Sequence, residues 1–431
     1  MRAKLLGAGT KVALVRVIGM GAGFLLTVVL ARTLGPDGLG IYAYALSILA
    51  LAAVPVANGW STILLRETSR GEPGPCWPQV RGMIVWGGRL AALSAIIALG
   101  IGQILALATG AEAYRPWVIV LLVVVLFFDQ ISALRLAVLR GLDHPVWGQV
   151  PEMLVRPALI LSIFLALTAT LPGPVTVTVA FVSLLGASVL TVAFGLAILR
   201  WKAPRDLLTA PTETHLGLWL RSAALLAGNS WLVILNSQID FLMLGALGSA
   251  EQLGLYRVAI QIALLSGTAY VALNMIAMQR FAKLSSAGQM DELQATVTFL
   301  SRIAFAASLP LPVIFLFAGE DILGFVFGAE YRAANTALLL LLLVQTVSAC
   351  AGFAHTVLVT ANRERLIVPL TLGSVLLNFA LCTVLIPRYQ LEGAAIAMLV
   401  AVGSWNFMLW LRCLRATGVD SSILGLKGPR P

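Results

Sequence analysis

Apolar residues run along this chain in long unbroken blocks. They show neither the alternation of a half-buried strand nor the narrow stripe of a surface helix. Twelve blocks can be read, near 12–31, 39–62, 83–108, 116–138, 151–171, 174–199, 216–245, 254–276, 299–319, 333–359, 364–386 and 390–412. Each is about 20 residues or longer, enough for a helix to cross a hydrocarbon core of ~30 Å. Inside a bilayer every backbone polar group must be bonded within the protein, so only helices or closed barrels span it. Barrel strands are short and alternating, and these blocks are neither. The pattern predicts an all-α polytopic membrane protein with about 12 transmembrane helices. The first block follows Arg2, Lys4 and Lys11 but lacks a clear small-residue cleavage site, so it is read as a retained helix rather than a signal peptide.

Composition agrees with the pattern. Of 431 residues, 59% are hydrophobic and 11% charged, against roughly 25% charged in a soluble domain. The net charge is +10, and its placement explains it. One alternate set of connections carries 19 basic residues, from Arg2, Lys4 and Lys11 through Arg66, Arg70, Arg81, Arg135 and Arg140 to Arg412, Arg415, Lys427 and Arg430. The other set holds only Arg32, Arg115, Arg332 and Arg388. The positive-inside rule puts the rich set and both termini in the cytoplasm. The charge is topogenic and calls for no nucleic-acid partner. The outer connections are short, and the longest connection, 277–298, is cytoplasmic and expected to be partly helical. Cys76, Cys350, Cys382 and Cys413 form no CxxC pair or metal-ligand spacing and read as packing residues. No metal site, catalytic residue or cofactor is indicated. Gly19-Met20-Gly21-Ala22-Gly23 follows no strand and is not a dinucleotide loop, and no P-loop is present.

A repeat divides the chain. Leu39-Gly40-Ile41-Tyr42 opens the second span and Leu253-Gly254-Leu255-Tyr256 the eighth. Six spans separate them, so the halves have the same orientation, as in parallel transporter repeats. The division is into an N-terminal lobe, 1–205 with spans 1–6, and a C-terminal lobe, 206–431 with spans 7–12. Substrate sites in duplicated transporters usually lie where the halves face each other.

Several runs resemble bacterial polysaccharide flippases. Leu30-Ala31-Arg32-Thr33-Leu34-Gly35-Pro36-Asp37-Gly38-Leu39-Gly40-Ile41-Tyr42 is similar to their N-terminal signature. Trp60-Ser61-Thr62 with Leu65-Arg66-Glu67, Asp240 with Leu244-Gly245, and Phe327-Gly328-Ala329-Glu330-Tyr331 follow in the family's order, as do Ile386-Pro387-Arg388-Tyr389 and Glu392-Gly393-Ala394. The family is the Wzx-type oligosaccharide-lipid exporters of the multidrug/oligosaccharidyl-lipid/polysaccharide (MOP) superfamily. The resemblance implies two six-helix lobes working by alternating access in the bacterial cytoplasmic (inner) membrane. The implied cargo is an undecaprenyl-diphosphate-linked oligosaccharide, a repeat unit of O-antigen, capsule or exopolysaccharide. Polymerase and assembly proteins are candidate partners. The run Met278-Gln279-Arg280-Phe281 departs from the family, whose members often carry a proline there.

A diphosphate crossing a membrane needs a wet cavity with cations, and the guanidinium fork suits phosphate. Charges within spans cost roughly 2.5–3.5 kcal/mol at mid-bilayer on insertion scales. Arg16, Arg89, Arg156, Arg221 and Arg302 lie near the cytoplasmic ends of odd spans, where snorkelling to headgroups is the competing reading. Arg16 shares a small, polar face with Gly19, Gly23 and Thr27. Arg257 lies on the outer half of span 8, and a short turn brings Asp240 of span 7 towards it. A buried ion pair and a gate or coupling site are both open readings. Asn229 and Asn236 share a face with Asp240, and Gln261 and Thr268 with Arg257. The substrate-cavity candidates are therefore Arg16, Arg89, Arg221, Arg257, Asn229, Asn236 and Gln261. Asp240 and Asp129 are candidates for coupling to H+ or Na+, with a pair to Arg135 the alternative for Asp129. Glu152 is expected to pair with Arg156 at i+4. His355, in line with Gln345, Ser348 and Gly352, reads first as a satisfied bundle histidine.

Three other functions compete. A multidrug or cation antiporter of the same superfamily should concentrate carboxylates in its cavity, whereas here arginines outnumber them. A peptidoglycan-precursor flippase usually has fourteen helices. A membrane glycosyltransferase or polymerase needs a sizeable catalytic loop, which this chain lacks.

Overall fold

The structure is a computed structural model that describes residues 2–70, 76–109, 116–170 and 175–425, without the side chains of 2–13, 105–109, 116 and 229. The described residues are helical almost throughout and include no strand. Among the described residues, nine helices are long and apolar enough to cross a membrane, or ten if one bent pair counts as a span. Two of the nine are 55 and 54 residues long, roughly twice what one crossing of ~30 Å requires. Each contains one non-helical residue, Gly35 (φ 66°) in the first and Gln390 (φ 49°) in the second. Read as two spans apiece, with the bent pair as one, they complete the twelve-helix layout.

The chain forms two compact units. The first comprises Met1–Leu34 and Ala45–Ile234, the second Gly35–Tyr44 and Leu235–Pro431. Relative to a division at 205, segments 35–44 and 206–234 therefore pack with the opposite half.

In the first unit α1 (Arg2–Val54) enters a π-helical turn, Pro55–Trp60, and continues as α2 (Ser61–Thr68). Then come α3 (Trp77–Thr109), α4 (Pro116–Gly141) and α5 (Pro145–Val150). A second π turn, Pro151–Val155, leads to α6 (Arg156–Thr170), α7 (Val177–Lys202), α8 (Arg205–Thr209) and α9 (Leu216–Leu247); residues 35–44 of α1 and 235–247 of α9 belong to the second unit. A core around Trp60, Leu64, Met83, Leu134 and Trp219 holds the first unit together. The indole of Trp60 donates to the Met83 carbonyl at 2.9 Å, which satisfies its one polar atom.

In the second unit α10 (Ala250–Ser266) starts at a capping box formed by Ser249 and Gln252. It bends by 44° at Gly267 into α11 (Thr268–Ser286). The connection 277–298 is helical on both sides of a short turn, because α11 runs to Ser286 and α12 (Met290–Ser308) begins four residues later. After α13 (Pro310–Val326) and α14 (Asn335–Ala351), Gly352 turns with φ 72° into α15 (Ala354–Thr360). The long α16 (Ile367–Thr417) ends at the left-handed Gly418.

The repeated motifs meet inside the second unit. A Cβ on Gly40 would collide with the Ala250 carbonyl and the Gly254 nitrogen, and one on Gly254 with the Pro36 carbonyl. Only two glycines let these helix backbones approach so closely. Tyr42 and Tyr256, which close the two motifs, are both buried.

Candidate functional site

Two buried polar clusters and one polar cavity stand out. In the first unit, α4 presents Asp129 and Arg135, the second π turn Glu152, and α6 Arg156. Arg156 binds Asp129 Oδ1 at 2.8 Å, lies 3.7 Å from Glu152 Oε2, and donates to Ser188 Oγ of α7 at 3.1 Å. Arg135 closes the chain through Glu152 Oε1 at 3.3 Å. The expected i+4 pair of Glu152 and Arg156 is present. Two expectations change. Asp129 pairs with Arg156 rather than Arg135, because Arg156 comes from a neighbouring helix at the same depth. Arg135 is not a residue of a basic connection: its side chain is 1% exposed. Gly195 of α7 makes room for it, since a Cβ there would collide with the guanidinium. Its Nε and Nη1 find no hydrogen-bond partner among the described residues.

Arg16 of α1 donates to the buried Gln149 at 3.1 Å. Gly19, on the same face, packs against the Met153 backbone. That small face seats α1 on segment 149–153. Arg89 and Arg221 are exposed, on α3 and α9, and Arg89 lies 4.8 Å from the ring centre of Trp86. The Asn229 side chain lies outside the described residues.

In the second unit, Asp240 of α9 is 1% exposed and accepts a hydrogen bond from the Tyr256 hydroxyl at 2.5 Å. No ion pair joins Asp240 to Arg257 among the described residues: the helix turn brings residue 256, not 257, to the carboxylate. Met398 and Cys382 of α16 flank the pair, and Cys382 donates to Asn378 Oδ1 at 3.5 Å. Arg257, Asn236 and Gln261 are half-buried, with Tyr42 in electrostatic reach of Arg257.

A cavity of about 360 Å³ in the same unit is lined by His355, Gln345 and Ser348, the aligned residues of span 10, together with Asn274, Trp405 and Asn406. Asn406 donates to Ser348 Oγ at 3.0 Å and Thr356 to Asn274 Oδ1 at 2.5 Å. The break at Gly352 opens this cavity to α15. It is held by the segment after α16, whose Ser421 carbonyl accepts from Ser301 at 2.9 Å and whose Ser421 hydroxyl donates to Ala351 at 2.8 Å.

Four residues of these sites carry little or no signal in the sequence. Tyr256 was visible only as a repeat position. The burial of Arg135 had one sequence signal, its place three residues inside the end of the apolar block 116–138. Asn274 and Asn406 lie on α11 and α16, and no spacing rule links them to His355.

The chain matches the polysaccharide biosynthesis protein family over residues 9–278 and belongs to it. Its fold is shared with an inward-facing multidrug resistance MATE family transporter of the MOP superfamily, at TM-score 0.73 and 14% identity over 94% of this chain and 98% of that one. The lipid II flippase MurJ in an inward closed conformation aligns at TM-score 0.76 and 14% identity, over 93% of this chain and 86% of that one. A MOP superfamily transporter from Pyrococcus furiosus aligns at 0.64 and 16% identity, over 95% of each chain. No curated protein sequence matches. The protein is a multi-pass membrane protein with the MOP transporter fold.

Proposed function

We propose that this protein is a flippase for a polyprenyl-diphosphate-linked oligosaccharide. It moves the lipid-linked unit from the cytoplasmic to the outer leaflet of the bacterial cytoplasmic membrane, with both its termini in the cytoplasm. One observation carries the reading. Three carboxylates within the spans are engaged internally, Asp129 and Glu152 by arginines and Asp240 by a phenol. Arg16, Arg89, Arg221 and Arg257 form no ion pair among the described residues. The charge left over for cargo within the spans is positive, which suits a diphosphate and disfavours an organic cation. Family membership supports the same substrate class.

In this reading the lobes 1–205 and 206–431 alternate in access, and Arg16, Arg257, Asn236 and Gln261 line the path. H+ or Na+ coupling is assigned to Asp240, with Asp129 second because Arg156 already neutralises it. Membrane lipids surround the chain, and a polysaccharide polymerase receives the product.

Translocation of a fluorescent lipid-linked oligosaccharide into proteoliposomes tests the reading. Transport by the parent chain, with loss of at least tenfold in Arg257→Ala, is expected. Transport of an organic cation instead, with no movement of the lipid-linked glycan, establishes the antiporter alternative.

A further inference from the structure

The first unit carries an apolar groove of about 560 Å³ walled by α1 with its π turn, by α3 and by α9. Small residues carve it: Ala52, Ala98 and Gly102, with Ala223, Ala224 and Ala227 opposite. Its two polar liners are already engaged. Ser94 donates to Gln130 Oε1 at 2.8 Å, and the Trp60 indole is bonded to Met83. Nothing polar in the groove is left to hold water, so a hydrocarbon chain is the matching occupant.

One end of the groove is different. Trp60 closes it, edge-on against Trp219 with ring centres 6.0 Å apart. The starts of α3 and α9 lie together at that end: Gly82 fits against the Glu213 backbone and Trp219, and Trp86 donates to Thr214 at 3.3 Å. Arg89 precedes the groove residue Leu93 by one turn, and Arg221 precedes Ala224 by one turn. Both are exposed, and neither forms an ion pair among the described residues. Helical side chains lean towards their own N-terminus, which carries both guanidiniums past the tryptophan floor. Arg89 rests against the Trp86 ring, and an apolar groove ending in two exposed guanidiniums complements an amphiphile with an apolar tail and an anionic head. Two forks suit a diphosphate better than a single phosphodiester.

We propose that this groove is the seat of the carrier lipid, with the polyprenyl chain between α3 and α9 and the diphosphate on Arg89 and Arg221. The proposal rests on the flippase reading and adds the place in the first unit where the carrier lipid is held.

Binding of geranylgeranyl diphosphate and of uncharged geranylgeraniol to the full chain in phosphatidylcholine nanodiscs, read by native mass spectrometry, tests it. The combined variant Arg89→Gln, Arg221→Gln should weaken the diphosphate at least tenfold and leave the alcohol within twofold. Filling the groove with Ala224→Phe should weaken both, with the melting temperature of each variant confirming that it folds. Undiminished diphosphate binding in both variants overturns the seat. So does equal competition by phosphatidylglycerol, which would make the groove a site for surrounding lipid. The proteoliposome assay separates the two ideas. Transport by a parent chain whose diphosphate binding ignores both variants rejects the seat and keeps the flippase. Binding at the groove without transport of the lipid-linked glycan rejects the flippase and keeps the seat.

Discussion

The two units bury carboxylates in opposite ways. In the first, Asp129, Glu152, Arg135 and Arg156 form a balanced chain of two positive and two negative charges across α4, α6 and the π turn between them. In the second, Asp240 is buried more deeply, 1% exposed against 28% and 19% for the side chains of Asp129 and Glu152, yet its side-chain partner is the neutral phenol of Tyr256. A balanced ionic chain resists change, because removing any member strands another charge. A carboxylate with only a neutral donor responds most to an arriving proton or cation. The first arrangement reads as a brace within its unit and the second as a sensor.

That contrast makes Glu152→Ala the most damaging test. It strands Arg135, whose guanidinium already has two nitrogens without partners among the described residues. Breaking a buried pair this way costs about 3–5 kcal/mol, so the melting temperature in detergent should fall steeply. An unchanged melt would mean that the cluster is hydrated and not a brace.

Tyr256→Phe removes the one side-chain hydrogen bond to Asp240 among the described residues and should cost about 1–3 kcal/mol. If it costs as much as Glu152→Ala, the units are braced alike and the comparison fails. Gly254→Ala probes the same region through packing. The added methyl meets the Pro36 backbone, which has no side-chain rotamer to yield, and a loss of roughly 1–3 kcal/mol is expected. A smaller loss in a thermal melt would show that the motif crossing is loose.

Sequence patterning made the membrane class and the number of spans legible because hydropathy reports depth directly. The motifs that carry the family resemblance coincide with backbone breaks: Gly35 precedes Pro36, Gly328 has φ 126°, and Gln390 follows Tyr389. Those residue types are read easily because conformation restricts them locally. Partner choice was not legible. Asp240 meeting Tyr256 instead of Arg257, or Asp129 meeting Arg156 instead of Arg135, depends on helix rotation and depth. A change of one residue turns a helical side chain by about 100°, and the pattern of an almost wholly apolar helix does not define its rotation. Glu152 and Arg156 were the exception because i+4 spacing on one helix settles their contact without tertiary information.

The smallest expected effect on stability belongs to Asp240→Asn, and it is the most informative for function. The amide oxygen still accepts from Tyr256, so the fold should change by about 1 kcal/mol or less. What disappears is the ability to carry charge. Transport by the parent should depend on an imposed H+ or Na+ gradient, and Asp240→Asn should lose that dependence while melting like the parent. Asp129→Asn makes the matched control: it should weaken the Arg156 contact and lower the melting temperature while the gradient dependence persists. If the two variants exchange these behaviours, the sensor lies in the first unit and the phenol-held carboxylate is the structural one.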